Sequence, residues 1–213
     1  EPPWGSIWTP VYELLGHDYL YPEPMNLVTL PDNHDMSRIF TQVDEDEDLW
    51  RIAMVFYATM RGIPQIYYGT EIQMSHPGTD SHGAIRAEFP GGWDDHDSNA
   101  FTGEGLSDQQ QAAQDYTRRL LNWRKQSAVI HSGRLMQFAP IKNVYAYFRY
   151  DENETVMVII NLDEDEVDLE LGRFAERLQG ASEARDVMAD RMLELDDEIE
   201  LAPRSALVLE IVH

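Results

Sequence analysis

The sequence predicts two architectures in tandem, an α/β region in which strands and helices alternate and then an all-β region of antiparallel strands. Three observations carry this. Between Asn26 and Gly69 two short apolar runs flank one helical pattern; from Asn143 onward apolar residues recur at every second position; and the change of regime falls near Ile130 to Arg134.

The elements follow in order. Asn26 to Leu30, NLVTL, is a short apolar run with β-branched residues, closed by Pro31, and reads as a buried strand. Asp44 to Met60 reads as a helix: acids crowd its start, where the dipole favours them, Leu49, Ile52, Ala53, Phe56 and Met60 recur at helical spacing, and Arg61 with Gly62 closes it. Ile63 to Gly69, IPQIYYG, reads as a second buried strand. Strand, helix and strand within about forty residues make a right-handed crossover with the strands parallel. Ser107 to Gln126 is a further helix, opened by Ser107 and Gln110 as a capping box, with Ala112, Tyr116, Leu120 and Trp123 on one face. After Gly133 the strands are Asn143 to Tyr150, Thr155 to Leu162, Val167 to Leu171 and Ser205 to Val212, joined by charged turns such as DENE and DEDE, with a helical turn at Arg173 to Leu178.

Composition narrows the function. A chain of 213 residues with 43% hydrophobic content can bury a real core. Its 39 acidic and 16 basic residues give a formal charge of -23, which repels phosphate backbones and anionic membrane surfaces, so neither nucleic acid nor membrane is expected as a partner. Lys125 and Lys142 are the only lysines, and the acid-rich, lysine-poor balance is that of a solvated surface suited to high salt. There is no cysteine, so disulfides and thiolate metal sites are excluded. No apolar run approaches the roughly 18 to 20 residues of a membrane span. The start, EPPWGSIWTP, lacks the charged and apolar regions of a signal peptide and an initiating Met, and reads as an internal cut. Periplasmic, secreted and cytoplasmic locations all stay open.

If NLVTL is a strand of an α/β barrel, Asp32 to Asp35 lie just past its carboxyl end, on the face where such barrels hold their active sites. The second strand ends on the same face and runs into Thr70 to Leu106, which has no periodic pattern; a loop of that length is functional or disordered. It carries Gly91, Gly92 and Trp93, then Asp94, Asp95, His96 and Asp97. Polar groups with aromatic platforms suit an uncharged polyhydroxyl ligand. Plainer readings stand beside these: His34 as a loop histidine satisfying backbone groups, Trp93 as loop packing, Glu71 as a loop anchor, Tyr67 and Tyr68 as core, and the aromatics of NVYAYFRY as sandwich core. His76, His82 and the Asp94 to Asp97 cluster offer enough ligands for a metal, but their spacing matches no recognised site, so no metal site is expected.

The stretch LVTLPDNHD resembles the seventh-strand signature of the α-amylase superfamily of glycoside hydrolases, and RGIPQIYYGTE resembles its eighth-strand signature. IRAEFPGGW and the closing PRSALVLEIV are similar to the neopullulanase and cyclomaltodextrinase branch, which cleaves α-glucans and cyclodextrins. The resemblance implies that residues 1–132 are the last strands and helices of a (β/α)8 TIM barrel, from Val11 to His131. It makes residues 133–213 an antiparallel β-sandwich. The implied substrate is an α-glucan oligosaccharide or cyclodextrin, cleaved with retention.

Resemblance also assigns roles. Asp35 matches the third carboxylate, which holds sugar hydroxyls where cleavage occurs and favours the positively charged transition state, as electrostatics requires. His34 matches a histidine that hydrogen-bonds the same ring, and Arg38 a basic position near the site. With Asn33 and Trp93 these are the candidate substrate-binding residues. The nucleophile and acid/base belong to the fourth and fifth strands, and this chain begins after both. The chain alone is therefore expected to be inactive, with no cofactor required by it and calcium left open for the intact enzyme. A non-catalytic carbohydrate-binding or structural relative of the barrel is the alternative. Two barrel strands cannot close on themselves, so apolar strand edges and part of the helix Leu49 to Met60 are expected to be exposed, with homo-oligomers as one way to cover them.

Overall fold

The computed structural model describes residues 6–79 and 81–212; the outermost residues of both predicted regions, 1–5 and 213, lie outside it. The first half carries α1 (Thr9–Gly16), β1 (Val28–Thr29), α2 (Ile39–Gln42), α3 (Glu47–Thr59), β2 (Ile63–Pro64), α4 (His82–Ile85), α5 (Asp108–Gln126) and α6 (Ala128–Ser132). As expected, β1 and β2 pair in parallel, with the Ile63 N–H donating to the Leu27 carbonyl at 2.9 Å and the Gln65 N–H to the Thr29 carbonyl at 2.8 Å. Gly62 makes the approach possible: its φ is +110°, and a Cβ there would sit 2.6 Å from the Leu27 oxygen. Neither strand is buried. Each has a single ladder among the described residues, and Val28 and Ile63 are 55% and 51% exposed.

Helix α3 starts later than the acidic run that signals it. Asp44 and Glu45 take left-handed backbone (φ 55° and 60°) and form a turn, and Asp46 is the cap, its Oδ1 accepting from the Asp48 and Leu49 N–H groups at 2.9 and 3.0 Å. The expectation that part of this helix is exposed is overturned: no residue from Leu49 to Met60 is exposed. The apolar residues around its circumference meet α5 on one side and the second region on another. Helix α5 opens with the expected capping box, Gln110 N–H to Ser107 Oγ at 3.2 Å and Ser107 N–H to Gln110 Oε1 at 3.1 Å. Its buried face is turned by one residue from the expected one: Ala113, Thr117 and Leu120 are buried, Tyr116 and Trp123 half-buried, and Ala112 exposed.

The second half is a six-stranded antiparallel sheet, ordered β3 (Arg134–Gln137), β4 (Val144–Tyr150), β5 (Thr155–Asn161), β10 (Ser205–Val212), β7 (Glu183–Asp186) and β8 (Arg191–Glu194), with a ribbon of β6 (Val167–Glu170) and β9 (Glu198–Leu201). Alternation sends the two faces to different partners. Val144, Ala146, Phe148, Met157 and Ile159 pack under Leu169 and Leu201 of the ribbon and under Phe174 and Leu178 of the expected helical turn, which contains α7 (Ala175–Leu178). Tyr145, Tyr147, Val156, Val158 and Ile160 join Trp8, Trp50, Val55 and Leu120 in a core with the helices. The aromatics of NVYAYFRY are core, as expected, but of two cores. Each fully buried side chain of this size contributes about 1.5–3 kcal/mol.

Arg149, also buried on the helix-facing side, donates to the Thr59 carbonyl at 3.1 Å and the Gly133 carbonyl at 2.9 Å, tying the end of α3 to the sheet. Burial, with Arg124 and Arg61 nearby, pulls its pKa down to about 10. Among the described residues no helix is long and apolar enough to cross a membrane.

Candidate functional site

The loop after β1 is pinned at both ends and exposed between them. At one end Asp32 is buried, its Oδ2 accepting from the Ile39 N–H at 2.9 Å and both oxygens from the Thr70 hydroxyl at 3.1 Å. Burial pushes its carboxyl above the usual carboxylate range, offset in part by those two donors. At the other end the Arg38 N–H donates to His76 Nε2 at 3.0 Å, and His76 Nδ1 meets the Thr79 carbonyl at 2.8 Å, which defines the neutral tautomer with its proton on Nδ1.

Arg38 is not available to a substrate as the sequence reading expected. It is 1% exposed, with Nε donating to the Ile85 carbonyl at 2.9 Å, Nη1 to the Tyr68 carbonyl, and its guanidinium carbon 4.5 and 4.8 Å from the Tyr67 and Tyr68 ring centroids. A stiff cation stacked on two rings suits arginine and fixes the path of the chain. Tyr67 is half-buried and Tyr68 is exposed, its hydroxyl donating to the Ala87 carbonyl at 2.8 Å, so neither is fully core. Gly69, at φ +84°, leaves room for this stack, since a Cβ there would meet Met74 Sδ and lie 3.0 Å from Arg38 Nη1.

Between the pins, Asn33 Oδ1 accepts from the Asp35 N–H at 2.7 Å, so Asn33 turns the chain. Asp35 then presents a carboxylate that is 59% exposed. His34 Nε2 is 3.1 Å from its Oδ2, Arg86 Nη2 is 2.8 Å from its Oδ1, and His82 Nδ1 is 3.7 Å from Oδ1. Arg86 also donates through Nε to the His34 carbonyl at 3.0 Å and reaches His82 Nδ1 at 3.0 Å. The cluster offers one anion, one fixed cation and two imidazoles at the surface, a set that can hydrogen-bond hydroxyl groups and stabilise positive charge close by.

Arg86 was missed in the sequence reading, and His82 was weighed there only as a metal ligand. Arg86 directly follows α4, four residues after His82, a spacing that brings two side chains together across one helical turn, and that was the signal available. Trp93, 63% exposed as a residue, lies in a separate recess of about 310 Å3, which Asp94, His96, Asn99 and Glu104 also line. His96 accepts the Gly91 N–H at 3.0 Å and faces Glu88 at 3.2 Å, so it braces this loop. The aperiodic stretch is ordered by a small core of its own, Ile72, Ala100 and Leu106. Among the described residues no group of three or more His, Asp or Glu is gathered as a metal site.

Comparison with known proteins assigns this architecture. A family model described as the α-amylase catalytic domain matches residues 13–154, and one described as the cyclo-malto-dextrinase C-terminal domain matches residues 135–210. A cyclomaltodextrinase from Bacillus sp is 28% identical over 141 residues, covering 64% of this chain and 22% of that protein. Neopullulanase 2 from Thermoactinomyces vulgaris is 30% identical over 153 residues, 70% of this chain and 23% of its own length. The chain thus spans less than a quarter of either relative. The crystal structure of an α-amylase from Geobacillus thermoleovorans, complexed with acarbose, superposes with a TM-score of 0.70 at 20% identity, over 96% of this chain and 43% of that one, and shows a shared fold. With the catalytic-domain match covering more than half of its residues, the chain belongs to the α-amylase catalytic-domain family.

Proposed function

We propose that this chain is part of a retaining glycoside hydrolase acting on α-glucosidic bonds of starch-like glucans or cyclodextrins, with Asp35 as the carboxylate that stabilises the transition state. The observation that carries the reading is the exposed Asp35 at the end of β1, positioned by Asn33 and flanked by His34, His82 and Arg86. In an oxocarbenium-like transition state positive charge develops on the ring, and a fixed anion that also accepts sugar hydroxyls is stronger there than in the ground state. Arg86 is poised to hand Asp35 from an ion pair to those hydroxyls. His34 and His82 supply further hydrogen bonds, and Trp93 a platform on the flanking loop.

In this reading residues 1–132 belong to the catalytic barrel and residues 133–213 form its β-sandwich. The nucleophile and the proton donor, which retention requires about 5–5.5 Å apart, come from barrel strands other than β1 and β2. The roles given to this chain need no cofactor, and a second copy could cover the exposed Val28 and Ile63 edges. Names of relatives support the substrate class: cyclomaltodextrinase, maltogenic α-amylase and neopullulanase. Reducing ends released from starch, pullulan and cyclodextrin test the reading. The whole protein is expected to turn them over and the isolated chain Glu1 to His213 is not. A whole protein that binds these glucans without cleaving them would be a carbohydrate-binding relative of the barrel instead.

A further inference from the structure

We propose that His76 is a positioning residue for the reaction, an imidazole latch that fixes the loop carrying Asp35 against the segment carrying Arg86. The inference rests on the proposed role of Asp35 and adds the residue through which that carboxylate is held in place.

His76 is 5% exposed, and both its ring nitrogens and its N–H are engaged. Its ring closes the turn His76-Pro77-Gly78-Thr79, in which Gly78 takes φ +75°, by donating from Nδ1 to the Thr79 carbonyl at 2.8 Å. The opposite nitrogen, Nε2, accepts from the Arg38 N–H at 3.0 Å, and the His76 N–H donates to Thr41 Oγ1 at 2.9 Å. With both nitrogens committed, the ring is free neither to ligate a metal nor to carry a proton to substrate. What it supplies is geometry: a rigid plane that joins a backbone donor on one segment to a backbone acceptor on another.

Further bonds carry that fixed point to the site. Arg38 Nε donates to the Ile85 carbonyl at 2.9 Å, and the next residue, Arg86, meets the Asp35 carboxylate at 2.8 Å and the His34 carbonyl at 3.0 Å. Loop and segment are therefore joined at the His76 end and again at the Arg86 end, with Asp35 on the stretch held by both. Asp32 anchors the start of the same loop on the Ile39 N–H and the Thr70 hydroxyl; His76 anchors its far end. A carboxylate that stabilises charge in the transition state works only at its proper place, and a shift of about 1 Å can cost about a hundredfold in rate.

Two amides one methylene apart test the latch in the whole protein. The carbonyl of His76→Gln reaches the place of Nε2 and still accepts the Arg38 N–H, whereas the shorter amide of His76→Asn reaches only that of Nδ1 and leaves the donor unpaired. Steady-state kinetics on cyclodextrin are measured at a temperature where thermal melts show each variant folded. His76→Asn should lower kcat by about ten- to a hundredfold with KM changed by less than about threefold, and His76→Gln should restore kcat to within about threefold. In the Asp35→Asn background, adding His76→Asn should lower kcat by less than about threefold more, because the latch acts through that carboxylate. Thr41→Val, which removes only the hydroxyl that holds the His76 N–H, should lower kcat by about threefold and carries the test if His76→Asn does not fold. Equal kcat for the two amides, a His76→Asn loss undiminished in the Asp35→Asn background, or an unchanged kcat for Thr41→Val overturns the positioning role and leaves the hydrolase reading standing. No turnover by the unsubstituted whole protein overturns the hydrolase reading, and the role of His76 with it.

Discussion

The Arg86 guanidinium meets the Asp35 carboxylate at 2.8 Å while its Nε holds the carbonyl of the neighbouring His34 at 3.0 Å. Both side chains are about half exposed, at 46% and 59%, and solvated ion pairs of this kind stabilise by no more than about 1 kcal/mol. Such a pair positions a carboxylate and can still release it to a substrate. Arg86→Lys keeps the charge but cannot span both acceptors with one planar fork. In the whole protein we expect KM for maltooligosaccharides to rise by about tenfold, equivalent to one or two hydrogen bonds. Steady-state kinetics unchanged by the substitution would place Arg86 outside the site.

Arg38 should behave differently despite lying three residues from Asp35. Its hydrogen bonds run to the carbonyls of Ile85 and Tyr68 and its plane covers two tyrosine rings, all inside the protein. Arg38→Met leaves those carbonyls unpaired and is expected to cost about 2–4 kcal/mol of stability. Urea unfolding of the chain measures this. A variant of undiminished stability with weakened substrate binding would restore the ligand role that the sequence implied.

Asp46 gives a pH-dependent prediction. Hydrogen bonds from the Leu49 and Asp48 N–H groups, and the Arg204 guanidinium, hold its carboxyl below the usual range. A depressed carboxyl contributes stability that is present above the unfolded value, 3.8, and is lost as pH falls through the folded one. Asp46→Ala should therefore cost about 1 kcal/mol at neutral pH. The difference from the unsubstituted chain should shrink as pH falls below the unfolded value. Thermal melts at several pH values check it; a difference that does not change with pH would assign the cost to packing.

What could be read in the sequence was what local chemistry decides. The Ser107 and Gln110 capping box, the alternation of β4, the fuller apolar run of β5 and the closing strand β10 are determined within a few residues, and they are where expected. The strands β3, β7, β8 and β9 were missed because four-residue segments such as EARD and EIEL become strands through their neighbours. The one-residue turn of the α5 face, from Ala112 to Ala113, depends on where the sheet lies. The NHD triplet pointed to Asp35 and its exposed surroundings. It carried no information about Arg86, which joins the site from 51 residues away, or about Arg38, whose burial is decided by Tyr67, Tyr68 and Ile85.

The most direct test of the central claim is the split of kcat and KM for Asp35→Asn in the whole protein, with cyclodextrin as substrate. The amide keeps the shape of the side chain and removes the charge, so the loss should fall on the transition state. We expect kcat to drop by about two to three orders of magnitude, the worth of one fixed electrostatic contact, with KM changed far less. A loss confined to KM with kcat intact would show that Asp35 only binds the ground state, and would contradict the role assigned to it.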